Sequence, residues 1–373
     1  MKDQRIIIVI DARMINTSGI GRYLSSLIDS LQKKYDNLIL LGKKQNIIEQ
    51  PWFKKSTSII EFSSNIYSIK EQFEFIMKIP TCDIFISPHY NIPILGWKMK
   101  KQLTFFPDVN HLALGGTLSL SKRWYAKLLY NLGAWRSDVI ITISNFSKNE
   151  ILKHLKVRPK KLVVAKCGTD VDKLKKLSEK NRISNQGLSN IIYILYVGNI
   201  KPHKNLHRAL LAFEKVQKNN TELKFYIVGK RDGFITGDKD IFDLLECNPT
   251  LKDNVRFTGY INDMELVDYY KYSQALLFPS LYEGFGLPPL EAMALDCPVI
   301  TSKVSSMPEI CGNAAIYCNP YDVEDIAYQI KQVLVNETLK AELRRNGEQK
   351  VQEYTWERFN KNVLKEIEIL LKT

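Results

Sequence analysis

Short, continuously apolar runs alternate with amphipathic stretches along this 373-residue chain. The first run, RIIIVI at 5–10, ends in Asp11. It leads through the turn-rich NTSGIGR into YLSSLIDSLQK, whose apolar residues recur at helical spacing, so the pattern predicts strand, loop and helix. NLILLG, DIFISP, QLTFF, DVIITIS and KLVVAK repeat the motif with helical stretches between them. Strands that are apolar throughout and alternate with helices predict a parallel sheet covered on both faces. At 179–190, EKNRISNQGLSN is polar and without period; the alternation then restarts with IIYILYVG, LKFYIVG, NVRFTGY, ALLFPS and CPVIT. The pattern therefore predicts two doubly wound α/β domains, residues 1–180 and 190–354, with the boundary near 180–190. Two such domains in tandem are expected to hold a ligand in a cleft between the carboxyl ends of their sheets. The last segment, YTWERFNKNVLKEIEILLKT, carries Phe359, Val363, Ile367 and Leu370 on one helical stripe.

The composition, 45% hydrophobic and 25% charged, is that of a soluble globular protein with sizeable cores. Six cysteines lie without C-x-x-C spacing, and no apolar leader opens the chain, so a cytoplasmic protein is expected rather than a secreted one or a zinc knuckle. No apolar run approaches the roughly eighteen residues of a membrane span, which leaves attachment to a membrane surface open. Charge changes the picture more. The net +13 is confined to the first half: residues 1–178 hold 29 Lys plus Arg against 14 Asp plus Glu. Either an anionic partner binds there, such as lipid headgroups, a diphosphate or nucleic acid, or the surface is simply lysine-rich and solvated.

The candidate chemistry centres on EGFGLPPLE, which keeps Glu283 and Glu291 at the two ends of an otherwise apolar stretch. ALLFPS reads as a buried strand, LYEGFG as the loop at its carboxyl end, and Pro288 or Pro289 as the first residue of a helix running into LEAMAL. Glu291 then falls in the first helical turn and Glu283 in the loop. Gly284 and Gly286 let the backbone approach a ligand closely, and the helix start offers N–H groups to an anion such as a diphosphate. Two carboxylates there can accept hydrogen bonds from sugar hydroxyls; alternatively, Glu291 is a favourable first-turn charge and Glu283 an ordinary loop residue. A second stretch, YVGNIKPHKNLHRAL, puts Gly198 at a strand end, then Asn199, Lys201, His203 and Lys204 before a helix from about Leu206. A lysine at a helix start is mildly unfavourable for the dipole, so an anion is expected there, with Lys204 as a point charge and His203 as a donor.

Together, YVGNIKPHKNL, RFTGYINDMELVDYY and FPSLYEGFGLPPLEAMALDCPVITSKVSSMPEICGNAA resemble the retaining glycosyltransferases of the group-1 type, family 4, whose hallmark is this E-x7-E element. The resemblance continues through DARMINTSGIGRY, ISPHYNIP, VIITISNFSKNEI and YTWERF, nearly the whole chain. It implies the GT-B fold, two Rossmann-like domains with the C-terminal helix, about 355–373, crossing back to the first. Position by position, it implies that Glu283 binds donor-sugar hydroxyls and Glu291 the ribose. Phe285, Gly286 and Leu287 would present backbone amides, Lys204 would hold the phosphates, and residues 258–261, Gly259 and Tyr260 among them, would contact the base. Gly19, with Gly21 and Arg22 in the first domain's glycine loop, would face the diphosphate or the acceptor. His89 is a candidate acceptor contact. Two departures stand out. Many relatives carry Arg at one of positions 199 and 203, where this chain has none; either the clamp is weaker or Lys201, His203 and Lys230 share the work. Pro107 precedes Asp108 where relatives have a histidine, and His111 is the candidate substitute. Glu283, Lys204 and Asp108 are thus the catalytic candidates.

The activity implied is transfer of a hexose from a nucleotide diphosphate sugar, with neither cofactor nor metal, to a lipid-linked or growing oligosaccharide acceptor at the cytoplasmic membrane face. The look of the motifs is nearest to mannosyl- and rhamnosyltransferases of O-antigen type, which orders the donors as GDP-mannose, dTDP-rhamnose, then a UDP-sugar. The alternative is a same-fold enzyme acting on a soluble small acceptor. An anionic membrane surface is an expected partner and nucleic acid is not. Weaker signals are set aside: SGIGRYL imitates a dinucleotide fingerprint but has Leu24 at its third glycine position, and DVD at 170–172 reads as a polar turn before a metal pair. SKRWYAKLLYNLGAWR at 121–136 mixes basic and aromatic residues, suiting either a membrane interface or a core-packed helix.

Overall fold

The computed structural model describes residues 3–95, 98–114, 120–180, 187–229 and 239–372. The chain packs as two units, residues 1–168 with 356–373, and residues 169–355. The first unit is built on strands β1 (Asp3–Asp11), β2 (Tyr35–Gly42), β3 (Ser58–Glu61), β4 (Cys82–Ser87), β5 (Met99–Phe105), β6 (Val139–Thr142) and β7 (Leu162–Val164). Their order is β3-β2-β1-β4-β5-β6-β7, with every pairing parallel. Between them run α1 (Ser18–Lys34), α2 (Lys44–Ile48), α3 (Ile69–Lys78), α4 (Asn110–Ala113), α5 (Leu120–Arg136) and α6 (Asn145–His154).

The second unit opens with α7 (Val171–Lys180). Its strands are β8 (Tyr193–Val197), β9 (Lys224–Val228), β10 (Val255–Gly259), β11 (Ala275–Phe278), β12 (Val299–Ser302) and β13 (Ile316–Cys318). They are parallel in the order β10-β9-β8-β11-β12-β13. The helices after α7 are α8 (Leu206–Gln217), α9 (Lys239–Cys247), α10 (Pro249–Asn254), α11 (Asp263–Tyr272), α12 (Leu287–Ala294), α13 (Met307–Cys311), α14 (Val323–Val335) and α15 (Glu337–Val351). Strands such as β8, buried at all five residues, carry the uninterrupted apolar runs that covering on both faces demands. Two Rossmann-like parallel sheets are what the GT-B fold comprises.

Three features differ from the sequence pattern. The division falls at Gly168/Thr169 and not at 180–190, because α7 packs on α11 and α12 and the Thr169 N–H donates to the Tyr354 carbonyl at 2.9 Å. Strands β3 and β13 had no sequence signal. Both are sheet edges of four and three residues, half-exposed over much of their length, so no long apolar run is required of them. Helix α1 begins at Ser18, earlier than expected, and takes in Gly19 and Gly21, with the Gly21 N–H donating to Thr17 O at 2.9 Å.

The C-terminal helix, Trp356–Lys372, belongs to the first unit and packs on α1, β4 and β5. Its buried residues are Phe359, Val363, Ile367 and Leu370, the stripe that the 3.6-residue period marks. Phe359 lies 6.0 Å from the Tyr23 ring, and Asn360 Nδ2 donates to Ser26 Oγ at 2.9 Å.

Candidate functional site

In the second unit the strand order reverses between β8 and β11, the place where doubly wound sheets bind ligands outside their carboxyl ends. The two loops leaving those ends carry the candidate residues. The Leu281 N–H donates to the His203 carbonyl at 2.7 Å, which stitches the loops together. Asn205, in the left-handed region at φ 60°, sends its amide to the carbonyls of Pro279 at 3.0 Å and Pro320 at 2.6 Å. These bonds place the Lys204 ammonium 2.5 Å from Glu283 Oε1 and 5.0 Å from the centre of the Phe278 ring. The two side chains are 18% and 12% exposed, so the pair sits at a surface from which most water is excluded.

The loop after β11 is held from the other side by Ser306, whose hydroxyl donates to the carbonyls of Glu283 at 2.9 Å and Phe285 at 3.0 Å. Gly286 adopts φ 97°, a left-handed conformation that strains any residue with a β-carbon, so glycine is favoured there. Helix α12 then starts at Leu287, one residue before the prolines expected to open it. Pro288 and Pro289 therefore occupy its second and third positions and supply no N–H. The backbone donors at this helix start are therefore the amides of the N-cap Gly286 and of Leu287.

Glu291 is the fifth helical residue, beyond the first turn in which the sequence placed it, so it is not a helix-dipole charge. It is buried at 4% exposure, and its Oε2 accepts from the Tyr270 hydroxyl at 3.0 Å. Asn199 is half-buried and Lys201 exposed, just before the 3-10 turn Pro202–Lys204. Gly259 ends the edge strand β10 at φ 74° and accepts from the Gly229 N–H at 3.2 Å, while Tyr260 projects into solvent. Lys230 lies outside the described residues.

In the first unit the order reverses between β1 and β4. Here the structure assembles a network the sequence did not disclose. Arg13 donates to both Asp11 oxygens, at 2.9 and 2.7 Å, and to Glu71 Oε2 at 2.7 Å. Asn91 donates to the other Glu71 oxygen at 2.5 Å. Burial disfavours the guanidinium charge, but the Asp11 and Glu71 carboxylates outweigh it and hold Arg13 above its ordinary pKa. The only signal for this cluster was an arginine two residues past a strand's carboxyl end, which by itself specifies no partner.

Beside it, Tyr67, strained at φ 70°, shares a hydrogen bond with His89 Nδ1 at 2.9 Å. Burial, and then the charge of His111, push His89 down to about 3. The native imidazole thus stays neutral where an unfolded one, at its ordinary 6.5, takes up a proton. Native stability should fall as pH drops from 6.5 towards 3. In urea titrations at pH 7 and pH 5, His89→Gln is expected to lose less stability between the two than wild type; an equal loss overturns this assignment.

Of the remaining residues in this unit, Asp108 accepts the Asn110 N–H at 3.0 Å, and its carbonyl accepts the Tyr130 hydroxyl at 3.1 Å. His111 is exposed on α4. Gly19 and Gly21 are helical and do not form a loop; Gly19 is exposed with open space around it, and Arg22 is exposed. Gly21 is buried, and a β-carbon on it would strike the Ile15 carbonyl at 2.2 Å, so its role is close packing. Its small size explains a glycine that the sequence had assigned to ligand approach.

Comparison with known proteins adds to this geometry. Residues 178–350 match the family described as Glycosyl transferases group 1. The chain is 26% identical over 281 residues to the O-antigen chain mannosyltransferase B of Escherichia coli, covering 74% of this chain and 71% of that one. In fold it is similar to sucrose-phosphate synthase of Thermosynechococcus elongatus, with TM-score 0.80, 18% identity, 99% of this chain and all of the other. It is likewise similar in fold to Anabaena HepE in complex with UDP-glucose, with TM-score 0.77, 14% identity, 98% of this chain and all of that one.

Proposed function

We infer, from the premise that this chain is a retaining group-1 glycosyltransferase of the GT-B fold, that it moves mannose from GDP-mannose to a lipid-linked or growing polysaccharide acceptor. The observation that carries the reading is the Lys204–Glu283 pair at the β8/β11 reversal. Breaking a sugar–diphosphate bond develops negative charge on the departing oxygen and positive charge at the anomeric carbon. Lys204, with the amides of Gly286 and Leu287 at the start of α12, is the preorganised positive end that stabilises the first. Glu283 takes sugar hydroxyls as acceptor and stands on the side where positive charge grows. Glu291, oriented by Tyr270, takes the ribose hydroxyls. Asn199, Lys201 and His203 complete the phosphate side, Gly259 and Tyr260 the base side. In the first unit, His89 after β4, and Asp108 and His111 after β5, are the acceptor contacts of this reading.

Mannose is supported by the mannosyltransferase among the relatives. A second reading, transfer from a UDP-sugar, is supported by the fold neighbour that holds UDP-glucose. A thermal-shift and calorimetric panel of GDP-mannose, dTDP-rhamnose, UDP-glucose and UDP-N-acetylglucosamine separates them. A ligand at about 100 times its Kd adds about 2.7 kcal/mol to the native state. GDP-mannose is expected to raise the melting temperature of wild type and to leave that of Glu291→Ala unmoved. A shift with UDP-glucose alone selects the second reading, and a shift with none of them sinks the donor site.

A further inference from the structure

Exposed apolar side chains are ordinary when scattered, but in the first unit they fall in register. On α3, Ile69, Phe73 and Met77 stand four residues apart and are 66–79% exposed, forming one bare stripe along the helix. On α5, Trp124, Leu128 and Trp135, four and seven residues apart, share a face and are 56–75% exposed. The crossovers from β3 to β4 and from β5 to β6 step in the same direction across the sheet. Right-handed connection therefore puts α3 and α5 on the same face, opposite α1 and α2.

Residues 92–94 join the two helices. Gln72 of α3 donates to the Ile92 carbonyl at 3.1 Å and accepts from the Ile94 N–H at 3.0 Å, while Ile94 packs into the cluster containing Leu129 and Tyr130 of α5. Leu95, 60% exposed, follows directly.

Charge around this face is of one sign. Helix α5 contains no acidic residue, and Lys127 is exposed on it. The carboxylates of α3 are already engaged, Glu71 with Arg13 and Glu74 with Lys78, both at 2.7 Å, while Lys70 is exposed. The whole unit carries 30 Lys plus Arg against 15 Asp plus Glu. No helix among the described residues is long and apolar enough to cross a membrane.

We propose that α3, residues 92–95 and the outer side of α5 form one docking face for an anionic lipid bilayer, into which the bare stripes insert to interfacial depth. Aromatic residues prefer that depth, and the cations meet the headgroups. The occupant follows from complementarity, since a cationic surface carrying tryptophans matches an anionic interface. The proposal rests on the lipid-linked-acceptor reading for its purpose, and on exposure and charge for its substance.

The test uses the whole chain, without donor, in co-sedimentation with phosphatidylcholine vesicles that contain or lack phosphatidylglycerol. Wild type is expected to bind the anionic vesicles and to be released by salt. Phe73→Ser/Met77→Ser and Trp124→Ser/Trp135→Ser are each expected to bind about tenfold or more weakly. Both variants should keep the wild-type melting temperature and, with a soluble acceptor, wild-type turnover. Binding that is absent in wild type, or unchanged in either variant, overturns the proposal. So does a dimer in light scattering that the same substitutions dissolve, since the face then covers a second copy. A wild-type chain that binds the anionic vesicles but turns over no nucleotide sugar would instead count against the glycosyl-transfer reading alone.

Discussion

Lys204→Ala is expected to lower kcat/KM for the nucleotide sugar by about three orders of magnitude, about 4 kcal/mol of lost transition-state stabilisation. The size follows from where the ammonium sits. It is mostly shielded from water, held by Glu283 at 2.5 Å and by a backbone that Asn205 and the His203–Leu281 bond keep in place, so it reorganises little when charge develops nearby. On the proposed reading the diphosphate beside Lys204 is already anionic in the ground state and gains further charge as the bond breaks. The loss should therefore appear in both parameters, a raised KM from weaker binding and a lowered kcat from the part felt only in the transition state. Glu283→Gln separates the partners: it removes the ion pair but leaves Lys204 to meet the phosphates, so KM should move less than kcat. Steady-state kinetics on both variants decide this. A Lys204→Ala enzyme within about threefold of wild type would remove the lysine from the site, because a charge so placed beside a diphosphate is worth more than that.

Arg13→Met is expected to cost the first unit about 3–5 kcal/mol, for a reason unrelated to turnover. The change leaves Asp11 and Glu71, 6% and 1% exposed at their side chains, buried without the cation that faces both. For a unit of this size the loss corresponds to a drop of about 10 °C in its melting temperature. A scan in which Arg13→Met melts within about a degree of wild type at pH 7 would show that water or a rearranged backbone satisfies both acids.

Much of the fold could be read from local pattern. Strand β8 is apolar along its whole length and β1, β2 and β4 carry apolar runs in their middle or second half, because helices cover both faces of their sheets, and the C-terminal stripe Phe359 to Leu370 follows the helical period. The places where pattern misled are those where a neighbour far along the chain decides. Gly21 looked like a ligand-approach glycine, but the Ile15 carbonyl requires its smallness. Glu291 looked like a first-turn charge, but it is buried against Tyr270, 21 residues away. The helix α7 looked continuous with the preceding domain, but it packs on α11 and α12.

The sequence by itself determined the class, two parallel α/β units, together with the E-x7-E element and the basic stretch at Lys204, because side-chain periodicity and glycine and proline placement are local properties of the chain. Only the tertiary structure decided which of these residues meet. Lys204 reaches Glu283 across 79 residues, and Arg13 reaches Glu71 across 58. The two bare stripes of α3 and α5 share a face because of strand order. Those pairings follow from which strand lies beside which, and strand order is set by the burial of whole sheets rather than by any short run of residues.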